Sequence, residues 1–135
     1  MHFSRQAMFA TFIAILLPLG AHAFTAKNRL TVSQIDATVF EVVGRPGSGA
    51  REMWCAAGDY ARSQNVPSTT RIYLESGRQP AVSRPGGTAV RFTLSPDAAG
   101  VTPVPPQLVL NVDVPGDNLS VAAATEYCLR SISRP

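Results

Sequence analysis

Hydrophobic and polar positions along the chain change period several times. Residues 24–34, "FTAKNRLTVSQ", show no clear alternation and read as a mobile or edge segment. "DATVFEVVG", 36–44, is rich in β-branched and aromatic residues and predicts a strand that Gly44 stops. "RPGSG", 45–49, predicts a turn, with Pro46 presetting φ and Gly47 free to take positive φ. The spacing then changes. At about 100° per residue, Ala50, Met53, Ala57, Tyr60 and Ala61 share one face of a helix, with Arg51, Asp59 and Arg62 towards the other. Ser48 or Gly49 caps its start, Glu52 suits the dipole of its first turn, and Pro67 bars any extension much beyond Asn65.

Three further strands are predicted. "TRIYLES", 70–76, sets Ile72 and Leu74 against Tyr73 and Glu75. "TAVRFTL", 88–94, sets Val90, Phe92 and Leu94 against Ala89, Arg91 and Thr93. "QLVLNVDV", 107–114, sets Leu108, Leu110, Val112 and Val114 against Val109, Asn111 and Asp113. Such alternation belongs to an antiparallel sheet covered on one side. The connections at 77–87 and 95–106 are rich in proline and glycine and read as loops. "PGDN", 115–118, reads as a turn before a second helix, "LSVAAATEYCLR", capped by Asn118 or Ser120, with Val121, Ala124 and Cys128 stacked on one side. The expected fold is α+β: a small antiparallel sheet of about four strands with two helices on one face.

The first residues stand apart from this pattern. Arg5 precedes an apolar run, Ala7–Leu17, then Pro18 and Gly20, and the run closes on "AHA" at 21–23. This is the arrangement of a cleaved secretory signal. The run is shorter than the roughly 20 residues of a membrane span, so no stable membrane insertion is expected after cleavage. Residues 1–23 are therefore read as a signal peptide and 24–135 as a single domain, periplasmic or secreted.

Export changes the meaning of the cysteines. Cys55 and Cys128 are an even pair in a chain bound for an oxidising compartment, so a disulfide is expected. They are too far apart for a CxxC redox pair. Closing so long a loop is worth about 4 to 5 kcal/mol in chain entropy, against a typical domain stability of about 5 to 15 kcal/mol. A bond from the Cys55 flank requires the C-terminal element to lie over the first helix, clasping it against the sheet.

Charge and composition narrow the chemistry. The whole chain carries a formal net charge of +3, one unit of which leaves with Arg5, and Lys27 is its only lysine. The basic residues are scattered singly, without the clustered stripe of a nucleic-acid-binding surface. Both histidines, His2 and His22, lie in the leader, so the mature chain has no imidazole for a Ser-His-Asp or Cys-His arrangement or for a zinc site. Lys27 alone is left for a Ser-Lys dyad, in the unpatterned N-terminal stretch. No P-loop or dinucleotide fingerprint is present, and no cofactor or metal is expected. "DVPGDN", 113–118, lacks the length and terminal glutamate of a calcium loop. "NLS", 118–120, matches a glycosylation acceptor, meaningful only in a eukaryotic secretory route. Glu41, Glu52, Asp59 and Glu75 remain as carboxylates able to form an acid–base pair.

One internal echo bears on binding. "VGRPGSGA", 43–50, and "VSRPGGTA", 82–89, share V-x-R-P-G-x-x-A. Read blandly, these are two similar turns; read functionally, Arg45 and Arg84 tip two loops that together grip an anion. Trp54 and Tyr60 are candidate neighbours of such a site, Trp54 otherwise belonging to the core.

The strand ending in "FEVV", the helix carrying Trp54-Cys55, Ala57 and Tyr60-Ala61, and the late Cys128 resemble small exported proteins of unknown function in alphaproteobacteria, over residues 36–130. The resemblance implies a periplasmic or secreted location and no catalytic residue. The expected function is that of a non-enzymatic binding or accessory module, taking a protein or anionic ligand of the cell envelope. A carboxylate-dependent hydrolase of envelope glycans is one alternative. An inhibitor of another exported protein, presenting a loop such as 77–87, is the other.

Overall fold

The computed structural model describes residues 23–132, so the leader other than Ala23 lies outside the described residues. In chain order the elements are β1 (Phe24–Thr25), β2 (Thr31–Gln34), β3 (Val39–Val43), α1 (Ala50–Ser63), β4 (Arg71–Pro80), β5 (Thr88–Thr93), α2 (Pro96–Ala99), β6 (Asn118–Ser120) and α3 (Val121–Ile132). The fold is α+β, with a curled sheet of six strands in the order β1-β2-β3-β5-β4-β6, every pair antiparallel. It is thus larger than the four-strand, two-helix outline that periodicity suggests.

The extra strands come from segments too short to show a period. Residues 24–34 form an edge hairpin, closed by Ala26 N donating to Leu30 O at 2.9 Å and by Arg29 at positive φ. Its turn is tied to α1: the Lys27 amide donates to Asp59 Oδ2 at 2.8 Å, and Asn28 Nδ2 to the Glu52 carbonyl at 2.8 Å.

Segment 107–114 is not a strand. Asn111 is the reason: its Oδ1 accepts the amides of Asp113 and Val114, and its Nδ2 donates to the Val109 carbonyl. Local side-chain bonds of this kind compete with a ladder. The free edge of β4 goes instead to the residues after the Pro115-Gly116 turn, where Leu74 bonds to both Gly116 and Asp117 and β6 follows. Leu108 and Val109 are consequently exposed, whereas Val112 enters the core.

One face of the sheet presents Val32, Phe40, Val42, Ile72, Leu74, Val90 and Phe92 to Met53, Trp54, Ala57 and Ala61 of α1. α1 is buried on its other flank too, at Cys55 and Gly58, because α3 lies over it. A Cβ on Gly58 would stand 2.9 Å from both the Ala124 Cβ and the Thr125 amide nitrogen, so glycine permits the close approach. Cys55 and Cys128 are joined there, with Cα atoms 4.9 Å apart. Ser120 caps α3 by accepting the Ala123 amide at 3.1 Å, and Val121, Ala124 and Cys128 are buried as the spacing predicts.

Candidate functional site: an arginine-lined cleft

The echoed sequence is a repeated turn. In Arg45-Pro46-Gly47-Ser48 the Ser48 amide donates to Arg45 O at 2.9 Å, with Gly47 at φ 85°. In Arg84-Pro85-Gly86-Gly87 the Gly87 amide donates to Arg84 O at 3.0 Å, with Gly86 at φ 77°. Proline followed by a positive-φ glycine is the chemistry of a type II turn. Val114-Pro115-Gly116-Asp117 repeats it without an arginine, closed at 3.1 Å with Gly116 at φ 88°.

Sheet topology brings the two arginine turns together. β3 and β5 are antiparallel, with Val43 opposite Ala89, so the turn that leaves β3 meets the turn that enters β5. The Gly44 amide extends the ladder by donating to Thr88 O at 3.0 Å. Between the turns lies a cleft of about 550 Å³, lined by Gly44–Ser48, Arg84–Thr88 and Arg78. Arg78 is the residue that sequence reasoning misses. It falls in a stretch read as loop, whereas β4 continues through two register shifts to Pro80 and carries Arg78 to the same rim. Its nearness to Arg84 in a proline- and glycine-rich hairpin was the available signal.

The lining contains three arginines and no carboxylate. All three arginines are exposed, and Arg45 Nη2 is braced by the Arg29 carbonyl at 3.3 Å. Planar guanidinium forks held on short turns suit the oxygens of a phosphate or carboxylate, and their mutual repulsion falls when an anion enters.

Trp54 and Tyr60 do not join this site. Trp54 has no exposed surface; its ring packs edge-on to Phe92 with centroids 4.9 Å apart, and its Nε1 donates to the Asn111 carbonyl. It faces the sheet because α1 turns that side inward. Tyr60 lies ten residues beyond the start of α1, roughly 15 Å along the axis. There it lines a separate cleft of about 220 Å³ with Gln34, Thr38, Phe40 and Leu94. Its hydroxyl donates to Gln34 Oε1 at 2.8 Å, and burial pushes its pKa up.

Each candidate carboxylate has a donor of its own. Glu52 Oε2 accepts the Gly49 amide at 2.9 Å at the start of α1, and Glu75 Oε2 accepts the Ser76 hydroxyl at 2.6 Å. Asp59 holds the Lys27 amide, and Glu41 holds the loop before the Arg84 turn. None of the four lines the arginine cleft. No family model matches the chain, and neither does any curated protein or solved structure.

Proposed function

We propose that this chain is an exported, non-enzymatic binding module whose cleft between the Arg45 and Arg84 turns takes an anionic group of an envelope ligand. The observation that carries the reading is the convergence of Arg45, Arg78 and Arg84 on one cleft without a lining carboxylate. The leader pattern and the disulfide agree with an oxidising destination. The glycan-hydrolase alternative has less support, because Glu41, Glu52, Asp59 and Glu75 are engaged separately, by a loop, a helix start, a hairpin turn and a neighbouring hydroxyl.

Calorimetric titration with inorganic pyrophosphate at low ionic strength tests the reading. A charge-assisted hydrogen bond is worth about 1.5 to 3 kcal/mol, so Arg45→Ala and Arg84→Ala should each weaken binding about tenfold or more. Salt should weaken it as well, since the groups are exposed. No binding by the wild-type protein, or equal binding by the double variant, overturns the proposal.

A further inference from the structure

Glu41 sits at the middle of β3, a strand buried at all five positions, and the glutamate itself has no exposed surface. In register it lies between Ser33 of β2 and Arg91 of β5. A carboxylate so placed must find donors. Three come from one short stretch: the Ser83 amide and hydroxyl reach Oε1 at 2.7 and 2.5 Å, and the Val82 amide reaches Oε2 at 3.1 Å.

That stretch runs directly into Arg84. The other backbone bonds of the loop, Ala81 N to Gly87 O at 2.9 Å and Gly87 N to Arg84 O at 3.0 Å, are internal to it, and its ends are carried by the β4–β5 ladder. β3, meanwhile, continues through Gly44 to Arg45. Glu41 therefore belongs to the strand that delivers one arginine and grips the loop that delivers the other. The nearby charge is Arg91, whose Nε is buried without an acceptor among the described residues. Ser33 offers no charge, and Val82 and Ser83 meet the carboxylate with two amides and a hydroxyl.

We propose that Glu41 is the positioning residue of the anion cleft, clamping Val82–Ser83 so that the Arg84 turn stands opposite the Arg45 turn. The inference rests on the reading of that cleft as an anion site. Both carboxylate oxygens are needed as acceptors. Glu41→Gln keeps one acceptor and sets an amide donor against either the Val82 amide or the Ser83 donors.

The test measures pyrophosphate affinity in wild type, Glu41→Gln, Arg84→Ala and the double variant, together with amide exchange. Glu41→Gln should bind about tenfold more weakly, and exchange of the Val82 and Ser83 amides should quicken at least tenfold more than that of Val42 and Val90. On the Arg84→Ala background Glu41→Gln should cost nothing further, a coupling that general loosening of the sheet would not produce. Ser83→Ala, at an exposed position, serves where Glu41→Gln folds poorly; it should lose affinity several-fold and be likewise non-additive with Arg84→Ala. Wild-type binding with unchanged affinity in Glu41→Gln and Ser83→Ala, or losses additive with Arg84→Ala, overturns this inference and leaves the cleft reading standing. Absence of wild-type binding overturns both.

Discussion

The indole nitrogen of Trp54 donates to the carbonyl of Asn111 at 2.8 Å, joining positions 57 residues apart in the chain. A buried indole needs an acceptor for its N–H, and this one is found on backbone that no strand has claimed. The same residue, Asn111, folds 111–114 upon itself through its side chain. The single tryptophan thus anchors the irregular segment whose Val112 completes the core.

Trp54→Phe should cost about 1 to 3 kcal/mol by leaving the Asn111 carbonyl without its donor. Limited proteolysis should then cut first within residues 105–114. Val112→Ala should cost about 2 kcal/mol, while Leu108→Asp should stay within about 0.5 kcal/mol. Equal costs at 108 and 112, measured by urea denaturation, would restore the strand reading of this segment.

Reducing the Cys55–Cys128 bond removes a loop constraint worth about 4 kcal/mol on chain-entropy grounds. Cys128→Ser should therefore lower Tm by well over 10 °C for a domain of this size. Non-reducing peptide mapping should recover one linked pair, and alkylation of both thiols in the native protein would contradict the structure.

The α1–α3 contact should tolerate no added volume. Gly58→Ala would press a methyl against the Thr125 backbone, at a cost of about 1 to 3 kcal/mol. Ala57→Leu, on the sheet side, should cost a similar amount. Arg62→Ala, exposed on the same helix, should be nearly neutral. Thermal melts of the three variants check the assignment of faces.

Two buried carboxyls should shape the pH dependence of stability in opposite directions. For Glu41, burial raises the pKa, but the hydrogen bonds from Ser83 and Val82 outweigh it and hold the group below its ordinary range. Its contribution is present above the unfolded-state pKa and is lost as pH falls through the folded one. For Asp117 burial wins over the Asn118 and Gln107 amides and Arg71, and the pKa is raised. Its contribution is complete below the ordinary carboxylate pKa and is lost as pH rises through the raised value. Glu41→Gln should flatten the acid limb of a Tm-versus-pH curve. Asp117→Asn should gain on wild type as pH rises above the ordinary carboxylate pKa of about 4. Parallel curves for all three proteins would refute both assignments.

Exported protein should begin at Phe24 by intact mass, since "AHA" precedes it. With His2 and His22 removed, binding of sulfate, an anion that does not itself titrate between about pH 5 and 8, should show no step near pH 6.5, roughly the histidine midpoint. A soluble product retaining Met1, or a histidine-like step, would contradict this reading.

Patterns confined to one element were readable from the chain itself. Ala57 and Ala61 on the sheet face of α1, the core-facing Ile72 and Leu74 of β4 and Val90 and Phe92 of β5, the Ser120 cap and the positive φ of Gly47 each follow from local geometry that a few neighbours impose. The same holds for the two matched R-P-G turns, because proline and glycine restrict φ whatever surrounds them. Strand identity in 107–120 was not readable: a three-residue strand is too short to show a period, and the apolar alternation before it is overruled by Asn111. Nor was the cleft. Arg45 and Arg84 become neighbours only because β3 and β5 pair antiparallel, Arg78 joins them only because β4 runs on past its register shifts, and Glu41 reaches Ser83 only across the curled sheet. Local dihedral preferences act over a few residues and are written in composition. The meeting of residues some 40 positions apart depends on which edges pair and which core volumes fill, and these are properties of the whole packed chain.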